Sequence, residues 1–246
     1  MILNLGCGAR TSPRCVNIDR SIHMRIGRNP ALLWLARLAL NPDRIKHIEA
    51  VTANAVVHDL AKGIPYPDNS ADAVYHSYML QHIDRNLESP ESDPAQLLLR
   101  ECHRVLKPGG VLRVVVPDFE VHCRRYVEHL GRCRADETQW SGTDEVVSHL
   151  IGMSVRKHAA GSSHQHPVLR RIENALLGDA RKRGETHQWE YDQFNLTALL
   201  RRAGFSLIEK RDYMTSRIPR WSEIGLDRTE DGNEYKRPSL YVEAVK

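Results

Sequence analysis

LNLGCGARTSPRCVNID, residues 3–19, decides how the rest of the chain is read. Ile2, Leu3 and Leu5 read as a short buried strand, and Gly6 and Gly8 as the turn that leaves it. Glycine in such a turn permits positive φ and lets a ligand come close to the backbone. Cys15-Val16-Asn17-Ile18-Asp19 reads as the next strand, ending on an acid. A dinucleotide fold would open a helix with a third glycine and place an acid about 20 residues further on. Here Arg10 stands where that glycine would, and Asp19 follows Gly8 by 11 positions. Pro13 lies between them and disfavours a helix. The first connection is therefore expected to be a loop, which argues against a pyrophosphate held on a helix N-terminus. A P-loop is excluded because no Gly-Lys-Ser/Thr follows.

Further strands are expected at 55–58, 72–76, 111–116, 205–212 and 239–245. The near-continuous apolar run Val114-Val115-Val116 suits a strand covered on both faces. A helix is expected after Asp93 as cap and Pro94 in its first turn, with Leu98, Cys102, Val105 and Leu106 on one face. Lys107-Pro108-Gly109-Gly110 should end it. A second helix is expected over about 196–203, with Asn195 as cap and Gly204 as stop. Alternating strands and connectors predict a parallel α/β sheet in one domain spanning 1–246. Residues 119–190 lack strand character and read as a helical insertion, a lid or substrate-recognition element before the sixth strand.

Composition narrows the function. The chain has 246 residues, a net charge of +4 and 41% hydrophobic residues, as expected of a globular domain. The charge is too mild to argue for nucleic acid, and the arginines of 119–190 are interleaved with acids. No apolar run reaches the roughly 18 residues of a membrane span, so no membrane partner is expected. Ala31 to Ala36 comes nearest, and Trp34 with Leu33, Leu35 and Leu38 is expected in the core. The N-terminus reads as core strand, so no leader is expected there. Five cysteines without CxxC spacing read as free thiols of a reducing cytosol, and a cytoplasmic location follows. His164 and His166 lack a third ligand, so no metal is expected. A homodimer is compatible with all of this.

The candidate ligand site gathers at the carboxyl ends of the strands, where open α/β sheets bind ligands. Leu5, Gly6, Cys7 and Gly8 form its turn. Asp19 can accept both hydroxyls of a ribose. Asp59 can accept from an exocyclic amine while the backbone of Leu60 faces a ring nitrogen. His76 and Ser77 end the fourth strand. An acidic pocket without a phosphate cradle suits an adenosine ligand with a positive charge, namely S-adenosylmethionine (SAM).

The motifs LNLGCG, VNID, VVHDL-x5-YPDNSADAVYHSYMLQHI, ECHRVLKPGGVLRVVVPD, HQWEYD and AGF resemble those of class I SAM-dependent methyltransferases of the small type 11 kind. HRVLKPGG before a strand is the specific signature. The resemblance covers 1–118 and, more weakly, 187–246. It implies a Rossmann-like sheet of seven strands, mostly parallel with one antiparallel strand, and helices on both faces. It also implies methyl transfer in a biosynthetic setting. The acceptor is expected to be a small molecule, an oxygen of a sugar, glycan or natural product; RNA or protein methylation, or SAM binding without transfer, are the rival readings. Asn4 stands where the family usually has an acid, and Gln81-His82 where Glu-His is common. His187 is the first candidate for a general base and His82 the second; Asp118 and Trp189 are candidate acceptor contacts.

Overall fold

The computed structural model describes residues 1–154 and 186–246, apart from positions 9, 21, 43, 44, 47, 50–52 and 54 and the side chains of 22, 23, 25, 39 and 152–154. Seven strands form one sheet: β1 (Ile2–Leu5), β2 (Val16–Asp19), β3 (Val56–Val57), β4 (Ala71–Ser77), β5 (Leu106–Pro117), β6 (Ser206–Arg211) and β7 (Ser239–Val245). Their order is β3-β2-β1-β4-β5-β7-β6. β1 to β5 pair in parallel, and β7 runs antiparallel to both β5 and β6. β1 is thus an inner strand between β2 and β4. The chain winds one way through β2 and β3 and the other way through β4 and β5. The carboxyl ends of β1 and β4 therefore flank the switch point at which such sheets bind ligands.

The first connection, 6–15, contains no helix among its described residues, as Pro13 led us to expect. Two helices follow β2, α1 (Ile22–Arg28) and α2 (Pro30–Ala39). The expected helix after Asp93 is α3 (Pro94–Val105); the Asp93 carboxylate accepts from Ala95 N at 3.0 Å and Gln96 N at 3.4 Å. β5 begins earlier than expected, at Leu106. Its register with β4 breaks between Ala71 and Ala73, so Lys107 to Gly110 bulge out. β3 is shorter than expected.

The insertion opens with α4 (Phe119–Ala135), a 3-10 turn (Glu137–Gly142) and α5 (Thr143–Ser154). Residues 155–185, with His164 and His166, lie outside the described residues. The next helix, α6 (Gln193–Arg202), corrects our reading of its start. Asp192 is the cap, and Asn195 completes a reciprocal capping box three residues later. Both residue types cap well, and only the local backbone distinguishes them.

One face of the sheet packs Leu3, Leu5, Val74, Leu112, Val114 and Val242 against α3 and α6. The other packs Tyr75, Val115 and Tyr241 against Trp221 and Ile224 of a short helix, α7 (Trp221–Ile224). A buried charge cluster fastens that second face. Arg113 and Glu243 are directly opposed in the β5–β7 register, 2.8 Å apart. Asp227 receives Arg113 at 2.8 Å, the Tyr75 hydroxyl at 2.7 Å and Trp221 Nε1 at 2.8 Å. No helix among the described residues is long and apolar enough to cross a membrane.

One expectation fails outright. Trp34, Leu35 and Leu38 of α2 are 61%, 53% and 70% exposed instead of lying in the core.

Candidate active site

Gly6 and Gly8 both adopt positive φ, +59° and +51°, so the turn after β1 has the conformation that favours glycine. A Cβ on Gly8 would meet nothing within 4 Å, whereas one on Gly6 would lie 2.4 Å from the Met79 sulfur. The backbone at Gly8 is open to a ligand, and the thioether of Met79 lies over Gly6. Gly8 N–H donates to Asp19 Oδ2 at 2.9 Å, which ties the turn to the end of β2. Cys7 is buried beside Asp19, and burial together with that charge pushes its thiol up to about 12. It stays a neutral, packed thiol.

The loop behind the turn is braced from within. Asn4 donates to Arg10 O and to Asn17 Oδ1, both at 2.9 Å. Asn17 in turn holds Ser12 through both N–H and carbonyl. Asn4 is buried, and an amide can make both bonds where a carboxylate could donate neither. Arg10 reaches the C-terminal segment, donating to Leu226 O at 3.1 Å and Gly225 O at 2.7 Å. The residue that displaces the third glycine thus clamps the loop to the chain's far end.

Asp59 follows β3 as expected, two residues beyond Val57, which pairs with Asp19 in the sheet. His58 N–H donates to Asp19 O at 3.1 Å. The Asp59 carboxylate caps the 3-10 turn that opens at Leu60 and pairs with Arg20. Arg20 lowers its pKa, so the carboxylate is anionic at neutral pH. Arg20 was missed from the sequence. His76 lies at the end of β4, opposite Leu5, with Ser77 beyond it. It is fully buried, and neither ring nitrogen has a hydrogen-bond partner among the described residues. Burial pulls its pKa down to about 4, so the ring is neutral.

The two candidate bases, remote in sequence, come together. Gln81 O accepts from Gln188 N at 2.7 Å and Trp189 N at 3.2 Å. This joins the segment before α6 to the turn after β4. The His82 and His187 rings meet edge-on, centroids 5.0 Å apart. His82 Nδ1 lies 3.1 Å from Thr186 O; since a carbonyl only accepts, Nδ1 carries the proton. His187 Nδ1 lies 2.8 Å from Glu190 Oε1, with both side chains largely buried. A carboxylate oxygen accepts, so Nδ1 is the donor here and, in that tautomer, Nε2 carries the lone pair. Glu190 escaped the sequence reading, although its spacing from His187 was visible.

Trp189 packs half-buried against the core with Arg85 over its ring at 5.4 Å, and among the described residues its Nε1 has no partner. Gln81's buried amide also has none. Asp118 is buried, caps α4 through Val121 N at 3.4 Å and pairs with Lys210 at 3.4 Å. It serves the start of α4.

The glycine turn at Gly6 and Gly8 and the acids Asp19 and Asp59 after β2 and β3 fit SAM. Residues 3–114 match the family model of a methyltransferase domain. The ubiquinone/menaquinone biosynthesis C-methyltransferase UbiE of Escherichia coli O139:H28 is 27% identical over 185 residues, covering 74% of this chain and 55% of that protein. The chain thus spans about half the length of that curated relative. Among solved structures, a SAM-dependent methyltransferase from Archaeoglobus fulgidus aligns over 100% of this chain and 85% of its own, at 15% identity and TM-score 0.42. One from Mesorhizobium loti aligns over 100% and 90%, at 16% identity and TM-score 0.40. Over residues 3–114, a little under half of its length, the chain is thus similar to methyltransferase domains.

Proposed function

We propose that the protein transfers the methyl group of SAM to an oxygen of a small acceptor, a sugar, glycan or natural product. Gly6 and Gly8 receive the cofactor's backbone contacts, Asp19 its ribose hydroxyls and Asp59 its adenine amine, with Arg20 keeping Asp59 ionised. Bound SAM supplies a methyl carbon already activated by its sulfonium. The protein must then align the acceptor, which can contribute about 7–11 kcal/mol. A hydroxyl acceptor must also lose its proton.

The observation that carries this reading is the Glu190–His187–His82 arrangement at the turn after β4. An imidazole held in its Nδ1–H tautomer by the Glu190 carboxylate presents Nε2 as a proton acceptor. A metal-free displacement at carbon needs no other base. The unpartnered polar atoms of Gln81 and Trp189 offer hydrogen bonds to a polar acceptor. Helix α4, which starts at the end of β5, contributes cover.

Labelled SAM incubated with a panel of hydroxylated acceptors, or with cell extract, tests the proposal. His187→Ala should cut turnover by about 10²–10⁴-fold while SAM affinity stays intact. Equal turnover of variant and wild type would remove His187 as base.

A further inference from the structure

Helix α2 has two unlike faces. Ala36 is buried and Leu33 half-buried against the protein. Ala31, Trp34, Leu35 and Leu38 recur at i, i+3, i+4 and i+7, the spacing of one helix face, and all four are exposed. With Leu32 also exposed at its flank, they make a contiguous apolar stripe, which on a folded protein marks an interaction site.

Charge identifies the partner. Residues 20–49 hold six arginines and lysines against two acids, a surplus equal to the +4 of the entire chain. The other 216 residues are balanced. Neither α1 nor α2 has an acid in its first turn. Arg37 pairs with Glu49 and Arg20 with Asp59, which leaves four basic residues of the segment against one acid. A tryptophan–leucine stripe within a cationic segment is the composition of a helix lying in a lipid interface. Each basic residue near an anionic leaflet adds about 1 kcal/mol of attraction.

We propose that α2 is a peripheral docking helix whose partner is an anionic phospholipid surface. Trp34, Leu35 and Leu38 enter the headgroup–acyl boundary, and the basic surplus of the segment draws the helix to the anionic phosphates. A second copy of this chain fits less well. A twofold interface would set each +4 segment against itself, and three large side chains fall short of the roughly 800 Å² per partner of a stable interface. Our sequence reading excluded a membrane on the absence of a spanning segment, a criterion that does not bear on an interfacial helix.

Co-sedimentation of the full chain with vesicles tests this, comparing mixed phosphatidylglycerol–phosphatidylcholine with phosphatidylcholine alone. Binding should be at least about tenfold tighter to the anionic vesicles and should weaken with salt. The double variant Leu35→Glu/Leu38→Glu should bind them about tenfold more weakly or worse. Both residues are exposed, so its melting temperature should match wild type. Equal binding of variant and wild type, or no binding to anionic vesicles, would overturn the proposal. So would a wild-type dimer that the double variant dissolves, since the stripe would then belong to a second copy. None of these outcomes depends on methyl transfer.

Discussion

Lowering the pH from 7 to 5 should destabilise the protein through His76. In the fold its pKa is drawn down to about 4 by complete burial, against an ordinary value of 6.5. As the pH falls below 6.5 the unfolded chain takes up a proton that the folded ring refuses. The unfolded state then binds more protons, so stability rises with pH across the window from 4 to 6.5. Between pH 7 and pH 5 the loss is about 2 kcal/mol. For a chain of this size that lowers Tm by roughly 4–8 °C. His103 and His122 are also held below their ordinary value by burial, so wild type alone does not isolate His76. Calorimetry of wild type and His76→Leu at both pH values does, because the other groups cancel in the double difference. The variant should lose about 2 kcal/mol less than wild type over that pH step. If His76→Leu folds poorly, an NMR titration of the wild-type ring should give a midpoint near 4. An equal drop in both proteins, or a midpoint near 6.5, would refute the reasoning.

Asp227→Ala removes the acceptor shared by Arg113, Tyr75 and Trp221. Breaking a buried pair costs about 3–5 kcal/mol, and denaturant unfolding should show it; a loss below about 1 kcal/mol would mean that Glu243 alone satisfies Arg113. Deleting residues 1–5 removes an inner strand paired on both sides and should abolish cooperative melting, and a soluble, cooperatively melting product would contradict the placement of β1. Glu190→Leu should remove the acceptor of His187 Nδ1 and with it the Nδ1–H preference, read from the ring nitrogen shifts by NMR, and an unchanged tautomer would show that Glu190 does not set it.

Much of the sheet was legible in sequence because its inner strands are short, mostly apolar segments set off by glycine, proline or acids. β3 was legible only as a pattern; two paired residues at an edge leave little signal. The start of α6 was misplaced because Asp192 and Asn195 are equally good capping types and exchange bonds with each other. Trp34, Leu35 and Leu38 were misread because apolar spacing reveals a face but not what covers it. For the site, the glycine turn and the acid after it were local and readable. The meeting of His82 with His187 was not, since it depends on Gln81 O receiving the backbone of Gln188 and Trp189. Asn4 and Arg10 looked like departures from a ligand-binding pattern. Their side chains are spent bracing the loop that presents it.

Calorimetric titration of the purified protein with SAM and S-adenosylhomocysteine, for wild type and Asp19→Ala, tests the central claim most directly. It needs no knowledge of the acceptor. The account predicts that wild type binds both ligands well below millimolar concentration. Asp19→Ala should weaken each by about 1.5–3 kcal/mol, roughly 10- to 150-fold, the loss of hydrogen bonds to a charged group. No binding to wild type at millimolar ligand, or equal affinity in the two proteins, would contradict it.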